Sequence, residues 1–341
     1  MKKLLFLDLI AHKNTHSTVW LQELLRMRFE VDVWYATSRN SSDMPTSKDV
    51  QQYDVIVYCQ IAPIVSRAAS FNKPSVYVPM YDSETYNRGK WMRIRQQNAV
   101  VLSFTEKEGG FVRPLGIPTL AVKYFTPHCD FQPGNPRKLF LWDRGFIHFS
   151  HIKHLFSPGF LKEIVIRCTD QEAAKISGKD RKNYNVRIVP QEQYLTREAY
   201  LKMFEDCGLY VAPRMKEGIG LSFIEAMMHG KCVIGHTDAT MNEYIQHMKS
   251  GILVDFHKPI KGLNLSEGDI VKMQQKCYEL AEKGAVEWTL QKVAILDFIE
   301  NAIMNYHPMS LTQKLKWLLL FPYHFWGDIC TYFRFRIKMF V

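Results

Sequence analysis

The sequence predicts an α/β protein built on two doubly wound parallel sheets. Two groups of six short apolar runs recur along the chain, separated by segments able to carry helices or loops. In the second group, a strand also runs through a glycine-containing turn into an apolar helix. A chain of 341 residues is too long for one ordinary domain and comfortable for two, each with its own core. A hydrophobic content of 47% and a charged content of 23% place the chain among ordinary globular proteins rather than disordered ones.

The first group comprises Leu4 to Ile10, Val31 to Tyr35, Val55 to Cys59, Ser75 to Pro79, Val100 to Phe104 and Leu120 to Tyr124. Thr18 to Arg28 is one of the intervening segments that can be helical. Met1 to Leu7 faintly resembles a secretory leader, but Asp8 interrupts the apolar stretch and no small-residue cleavage site follows. It reads as the first buried strand. Phe131-Gln132-Pro133-Gly134-Asn135-Pro136 has the composition of a connection between domains. The second group comprises Leu139 to Trp142, Ile164 to Arg167, Val186 to Val189, Leu209 to Ala212, Cys232 to Ile234 and Ile252 to Val254. The expected organisation is a first domain over 1–131, a hinge at 132–137, a second domain over 138–307 and a tail over 308–341. Neither half places Gly-x-Gly-x-x-Gly after its first strand, which argues against a nicotinamide dehydrogenase. The seven cysteines are scattered without a Cys-x-x-Cys pair. That pattern fits a reducing compartment and disfavours a disulfide framework or a structural zinc site.

The chemistry concentrates in Lys216-Glu217-Gly218-Ile219-Gly220-Leu221-Ser222-Phe223-Ile224-Glu225-Ala226-Met227. The preceding stretch, Gly208 to Pro213, is short and mostly apolar, as buried parallel strands are. Free N–H groups and the helix dipole converge at such a helix start, and glycine lets a ligand approach the backbone. Glu217 and Glu225 on either side suit a ligand that is part phosphate and part polyhydroxyl. The same spacing has a structural alternative: Ser222 and Glu225 match a capping box. Downstream, Gly230 sits where a helix ends, Val233-Ile234 is a strand centre, and Thr240 to Glu243 repeats the capping-box spacing. Polar residues thus recur at the carboxyl ends of strands, where open α/β sheets bind ligands.

The run from Ala212 to Asp255 resembles the donor-binding segment of retaining GT-B glycosyltransferases of the group 1 class (glycosyltransferase family four). That family writes Pro-Ser/Arg-x-x-Glu-Gly-Phe-Gly-Leu, then Glu-Ala-Met/Leu-Ala-x-Gly, a strand, a Pro/Asn-Glu-Tyr/Ile element and Asn-Gly-Leu-Leu-Val. Here Ile219 replaces the usual Phe, Thr240-Met241-Asn242 replaces Gly-Gly-x-Pro, and Lys249-Ser250 replaces the Asn before Gly251. No carboxylate or turn glycine is lost. The resemblance implies the GT-B architecture of two Rossmann-like domains facing a cleft. It implies that the amides of Gly218, Ile219, Gly220 and Leu221 cradle a nucleotide-sugar donor. Glu217 would hold the sugar hydroxyls and position the reacting face, Glu225 the ribose, with Asn242 and Glu243 completing the donor set. Retention would proceed by front-face attack, the departing phosphate taking the acceptor proton.

An enzyme without a metal must meet the developing diphosphate charge with fixed dipoles and cations. No Asp-x-Asp occurs anywhere, so no metal and no cofactor beyond the donor is expected. The family's phosphate-binding arginine follows the first strand of the second domain, and the matching place reads Leu141-Trp142-Asp143-Arg144-Gly145-Phe146-Ile147. Arg144 is the candidate, with an ion pair to Asp143 as the structural alternative. Lys153 and Arg214 are secondary candidates, and Pro190 to Leu195 is a candidate wall of the base site. The first domain should bind the acceptor. Asp8, His12 and His16 lie at or beyond the end of its first strand, without the usual Gly-Gly turn. Asp82 and Glu84 follow Val76-Tyr77-Val78-Pro79, near where the family often places a histidine. Asp82 would orient the acceptor hydroxyl, or simply make a turn.

Residues 311–341 carry five Lys/Arg against one acidic residue, interleaved with Trp, Tyr and Phe. The span from Lys316 to Arg334 holds Pro322, His324 and Asp328 and falls short of the roughly 20 apolar residues that cross a bilayer. Such a tail suits an anionic membrane surface, or packs back on the first domain. The net charge of +10 fits a negatively charged partner, and no nucleic-acid motif accompanies it. The expected function is sugar transfer to a glycan or lipid-linked acceptor at the inner face of the cytoplasmic membrane, in bacterial surface-polysaccharide synthesis. An epimerase or phosphorylase on the same scaffold, or a non-catalytic sugar-nucleotide-binding scaffold protein, is the alternative. The intact Glu217/Glu225 pair counts against the scaffold reading.

Overall fold

The computed structural model describes residues 1–39, 43–63, 71–191, 196–260, 262–308 and 312. The chain divides into two compact units. The first comprises Met1–Val122 together with the described residues from Gln291, and the second is Lys123–Leu290.

In the first unit the strands are β1 (Lys2–Leu9), β2 (Phe29–Ala36), β3 (Val55–Cys59), β4 (Ser75–Val78), β5 (Val100–Ser103) and β6 (Thr119–Ala121). Helices α1 (Ile10–Thr15) and α2 (Val19–Arg26) follow β1, α3 (Arg88–Gln96) precedes β5, and α4 (Glu106–Val112) follows it. The six strands pair in the order β2-β1-β3-β4-β5-β6, all parallel. Strand β3 is buried along its whole length, which is why it reads as an unbroken apolar run. Leu5, Leu7, Ile56, Tyr58, Tyr77, Trp91 and Val101 build one face of the core.

The second unit contains β7 (Asn135–Trp142), α5 (Phe149–Ile152), β8 (Glu163–Cys168), α6 (Asp170–Ala174), α7 (Gly178–Asn183), β9 (Val186–Pro190) and α8 (Arg197–Phe204). It continues through β10 (Cys207–Val211), α9 (Leu221–Met228), β11 (Cys232–His236), α10 (Met241–Tyr244) and β12 (Gly251–Val254). The sheet order is β12-β11-β10-β7-β8-β9, again parallel throughout. Helix α11 (Glu267–Met304) closes the second unit and carries the chain into the first.

All twelve expected strands form. The unit boundaries, however, differ from those read off the composition. Residues 123–131 belong to the second unit because their aromatic side chains pack there. Tyr124 meets Trp288 edge-on at 5.2 Å and Phe125 lies 5.1 Å from Tyr244. The segment expected as a hinge is also tied into this unit. The buried Lys231 Nζ donates to the carbonyls of Gln132 and Glu205, each at 2.6 Å. Gln274 Nε2 donates to the Pro133 carbonyl at 2.6 Å, and Asn135 already opens β7. At the other end, the second unit stops at Leu290, within α11, rather than at residue 307. Beyond that point Ile295 and Ile299 are buried, and Arg28 pairs with Asp297 and Glu300. The expected tail falls outside the described residues after Pro308, apart from Thr312.

Both sheets reverse their winding once. In the first, β2 and β3 lie on opposite sides of β1; in the second, β8 and β10 lie on opposite sides of β7. Crevices outside the carboxyl ends of strands at such reversals are where open α/β sheets bind ligands. In the second unit the reversal falls between β7, which leads to Arg144, and β10, which leads to Glu217.

Candidate active site

Strand β10 is buried at every position and delivers the chain through Ala212 and Pro213 into the glycine turn. Glu217 is 9% exposed, and the fully buried Thr240 donates its hydroxyl to the Glu217 carbonyl. Helix α9 opens on Gly220 in the left-handed conformation (φ +83°). A Cβ at that position would lie 1.9 Å from the Phe223 ring, so both conformation and space demand glycine. The amides of Phe223 and Ile224 already donate back to the Gly220 carbonyl, each at 3.1 Å. The amides of Leu221 and Ser222 therefore come before the first intrahelical bonds, at the positive end of the helix dipole.

The cations come from three strand ends. The guanidiniums of Arg144 and Arg167 lie 4.7 and 4.4 Å from the centre of the Trp142 ring. That of Arg214 lies 5.6 Å from the Phe146 ring centre. The Arg144 pKa is lowered, first by desolvation and then by the like charge of Arg214, while Glu217 acts in the opposite direction. Arg144, Arg214 and Glu217 thus share one electrostatic neighbourhood at the winding reversal. Asp143 is not the partner of Arg144. Its carboxylate accepts from the Gly145 amide at 2.9 Å and meets His148 Nδ1 at 3.0 Å. His148 Nδ1 also lies 3.3 Å from Glu172. These three side chains bring their ligand-type atoms within 4.8 Å of one another.

Glu225 does not cap its helix. Gly220 is the N-cap and makes no side-chain cap bond, so Ser222 falls inside the first turn. Glu225 instead pairs with Arg197 Nε at 2.6 Å, and its side chain is only 13% exposed. The second capping box is likewise not made. Thr240 is the N-cap of α10 without a side-chain cap bond, its hydroxyl having gone to Glu217. On α10, Asn242 donates to the Thr237 carbonyl at 3.0 Å and the Glu243 carbonyl accepts from Lys123 at 2.7 Å. Lys153 pairs with Asp180 at 3.7 Å, on α7. Asp82 lies in the first unit, half-buried in the turn after β4, where neighbouring Glu84 pairs with Lys90. Pro190 closes β9, and residues 192–195 of the expected base-site wall lie outside the described residues.

Sequence reasoning passed over Arg167, Arg197 and His148, and read Thr240 only as a helix cap. A signal existed for Arg167, the charged end of a run otherwise wholly apolar. Arg197 stands 28 residues from Glu225, and no local spacing announces that pair.

Residues 180–284 match the family model of glycosyl transferases group 1. The chain carries a group 1 glycosyltransferase domain. The matched stretch contains the Glu217 turn, Glu225 and Glu243, whereas Arg144 precedes it. The solved structures that the chain resembles have the GT-B fold. Anabaena HepE, determined in complex with UDP and glucose, is 14% identical, with 90% of this chain and 100% of that one covered and a TM-score of 0.52. Sucrose-phosphate synthase from Thermosynechococcus elongatus is 13% identical, covering 87% and 100%, with a TM-score of 0.56. The lipopolysaccharide outer core galactosyltransferase WaaB in its apo form is 12% identical, covering 89% and 99%, with a TM-score of 0.51. At these identities the likeness concerns the GT-B fold, here two six-stranded parallel sheets. No curated protein matches the sequence.

Proposed function

We propose that the protein transfers a sugar, with retention and without a metal, from a nucleoside-diphosphate sugar to a glycan or lipid-linked acceptor. The setting we propose is the inner face of the cytoplasmic membrane, in bacterial surface-polysaccharide synthesis of the capsule or O-antigen type. The observation that carries the donor side is the convergence of Arg144, Arg214 and Glu217 at the winding reversal of the second sheet, with α9 opening directly after the Glu217 turn. Breaking the anomeric carbon–oxygen bond leaves negative charge on the diphosphate and positive charge on the sugar. Fixed arginines and a helix N-terminus stabilise the first. The carboxylate of Glu217 holds sugar hydroxyls and faces the second. Glu225, kept in place by Arg197, takes the ribose hydroxyls.

HepE, crystallised with UDP and glucose, supports a nucleotide-sugar donor, and the likeness to WaaB, a lipopolysaccharide outer core galactosyltransferase, supports a surface glycan as product. The basic, aromatic composition of residues 311–341 supports the membrane surface. Among the described residues no helix is long and apolar enough to cross a membrane.

The test is a panel of nucleoside-diphosphate sugars assayed for released nucleoside diphosphate with lipid-linked acceptors, in the presence and absence of EDTA. One donor should turn over, insensitive to chelation and with the anomeric configuration kept by NMR. Glu217→Gln should lower kcat by about 10²–10³-fold, the scale of a lost transition-state contact. No turnover with any donor, or an undiminished E217Q enzyme, refutes the proposal. An inverted product refutes retention alone.

A further inference from the structure

We propose that Asp8, His12 and Cys59 form a zinc site, with three protein ligands and a fourth position for water. The site goes beyond the sugar transfer proposed above and does not depend on it. All three residues belong to the first unit, whereas the metal-free chemistry proposed for the diphosphate is that of the second.

Strands β1 and β3 pair in parallel with Leu7 opposite Tyr58. The next residues, Asp8 and Cys59, therefore stand side by side at the carboxyl ends of the two strands. The chain then turns directly into α1. His12, four residues on, folds back so that its Nδ1 lies 2.5 Å from Asp8 Oδ1. Asp8 and Cys59 are fully buried, and the His12 side chain is 14% exposed. A carboxylate oxygen, an imidazole nitrogen and a sulfur thus lie within 4.8 Å of one another. Zinc holds such donors at about 2.0–2.3 Å, which sets ligand atoms roughly 3.3–3.6 Å apart on a tetrahedron. Side-chain adjustments on the order of 1 Å bring the three atoms to that spacing.

The carboxylate is held in place by partners outside the site. Thr18 is the buried N-cap of α2, yet its hydroxyl makes no cap bond. It donates instead to Asp8 Oδ2 at 2.6 Å, and Gln22 Nε2 in turn donates to the Thr18 hydroxyl oxygen at 3.3 Å. The Leu9 amide donates to Oδ1 at 2.8 Å. Each carboxylate oxygen has about two lone pairs, so Oδ1 keeps one for the metal on the side facing His12. Outer hydrogen bonds of this kind orient a ligating carboxylate.

The donor set selects the metal. Magnesium and calcium take oxygen ligands, whereas a thiolate beside an imidazole and a carboxylate suits zinc. The scattered cysteines spoke against zinc only because that reading looks for paired cysteines. Here a lone cysteine is joined by residues from two other elements. On binding, His12 gives zinc its Nδ1 lone pair and carries its ring proton on Nε2. The Cys59 thiol proton passes to water as the sulfur–zinc bond forms. His12 is the exposed ligand, so the metal and its water enter from that side. A second cluster, Asp143, His148 and Glu172, has similar spacing. It offers no sulfur, and Lys175 already pairs with Glu172 at 2.6 Å.

The experiment uses the full chain as wild type, Cys59→Ala, His12→Gln and, at the other cluster, His148→Gln. Each is stripped by dialysis against a chelator, then loaded with zinc, cobalt(II) or magnesium. Wild type and H148Q should retain a single zinc after removal of excess metal, and C59A and H12Q should not. Zinc at a hundredfold excess over Kd should raise the melting of the wild-type first unit by roughly 5–10 °C, and magnesium should not move it. Cobalt-loaded wild type should show thiolate-to-cobalt charge-transfer absorption in the near ultraviolet, a readout that needs no variant to fold. The proposal is overturned if wild type retains no zinc, if its cobalt form lacks that absorption, or if C59A binds as wild type does. Loss of zinc in H148Q alone also overturns it, by placing the metal at the second cluster. C59A further serves as the control for EDTA in the transfer assay. A loss of turnover on chelation in wild type but not in C59A belongs to this site and not to the diphosphate.

Discussion

Replacing Gly220 by alanine isolates what holds the donor turn in shape. Two terms add. A side chain in the left-handed conformation costs about 1–2 kcal/mol. The new Cβ would lie 1.9, 2.6 and 2.8 Å from three atoms of the Phe223 ring, which is fully buried and edge-on to Tyr244 at 5.5 Å. Forcing such overpacking costs about 1–3 kcal/mol more. The sum, about 2–5 kcal/mol, lowers the melting of the second unit by roughly 4–20 °C at the usual conversion for a domain of this size. Gly159→Ala is the matched control. Its φ is +77° with no atom within 4 Å of the new Cβ, so only the conformational cost remains, roughly 2–8 °C. Calorimetry of the three proteins, following the transition of the second unit, reads both shifts. Should G220A melt together with G159A, the packing of Phe223 against the turn does not constrain it, and the argument for glycine by close approach fails.

Two further predictions concern groups outside the chemistry. The Glu108 pKa is raised to about 8, chiefly by burial, although Ser103 and Tyr86 donate to it. The folded first unit therefore binds a proton that the unfolded chain releases above the ordinary glutamate value of 4.5. By linkage, this group's contribution falls as pH rises from about 5 to 8 and levels off above the folded value. Glu108→Gln should flatten that slope in melting curves taken across the range, and an unchanged slope would clear Glu108 of responsibility. Lys231→Met leaves the Gln132 and Glu205 carbonyls without their shared donor. It should destabilise the second unit by about 2–4 kcal/mol in denaturant titrations. A loss below about 0.5 kcal/mol, the scale of an inconsequential surface change, would show that the lysine does not pin the segment.

The strands were legible because a parallel strand covered on both faces must be a short, nearly continuous apolar run, as Val55–Cys59 and Cys207–Val211 are. The turn at Glu217 was legible because its glycines answer to local backbone geometry. What failed was the inference from spacing to partner. Ser222 and Glu225 have capping-box spacing, yet the helix starts two residues earlier than a Ser222 cap requires, on Gly220. Glu225 then finds Arg197 and Thr240 finds the Glu217 carbonyl, partners set by how strands and helices pack. The Pro-Gly-Asn-Pro stretch has the composition of a flexible link. Its carbonyls are claimed by Lys231 and Gln274, 99 and 141 residues away, and separations of that kind leave no trace in a local pattern. Asp8 and His12 were visible at a strand end, but nothing in the sequence announced that Thr18 would donate to the same carboxylate.

The two sheets also bear on how such a protein can be re-engineered. In each, the first strand of the unit borders the winding reversal, and its partner across the reversal is β3 in one case and β10 in the other. The segments after β1 and β3 can therefore be exchanged as one cassette and those after β7 and β10 as another. Strands β2, β6, β9 and β12 flank the reversals or form the outer edges without bordering them directly across the gap. A chimaera that leaves those strands native keeps the sheet edges protected from wrong pairing while its two cassettes vary independently, giving a combinatorial library on one scaffold.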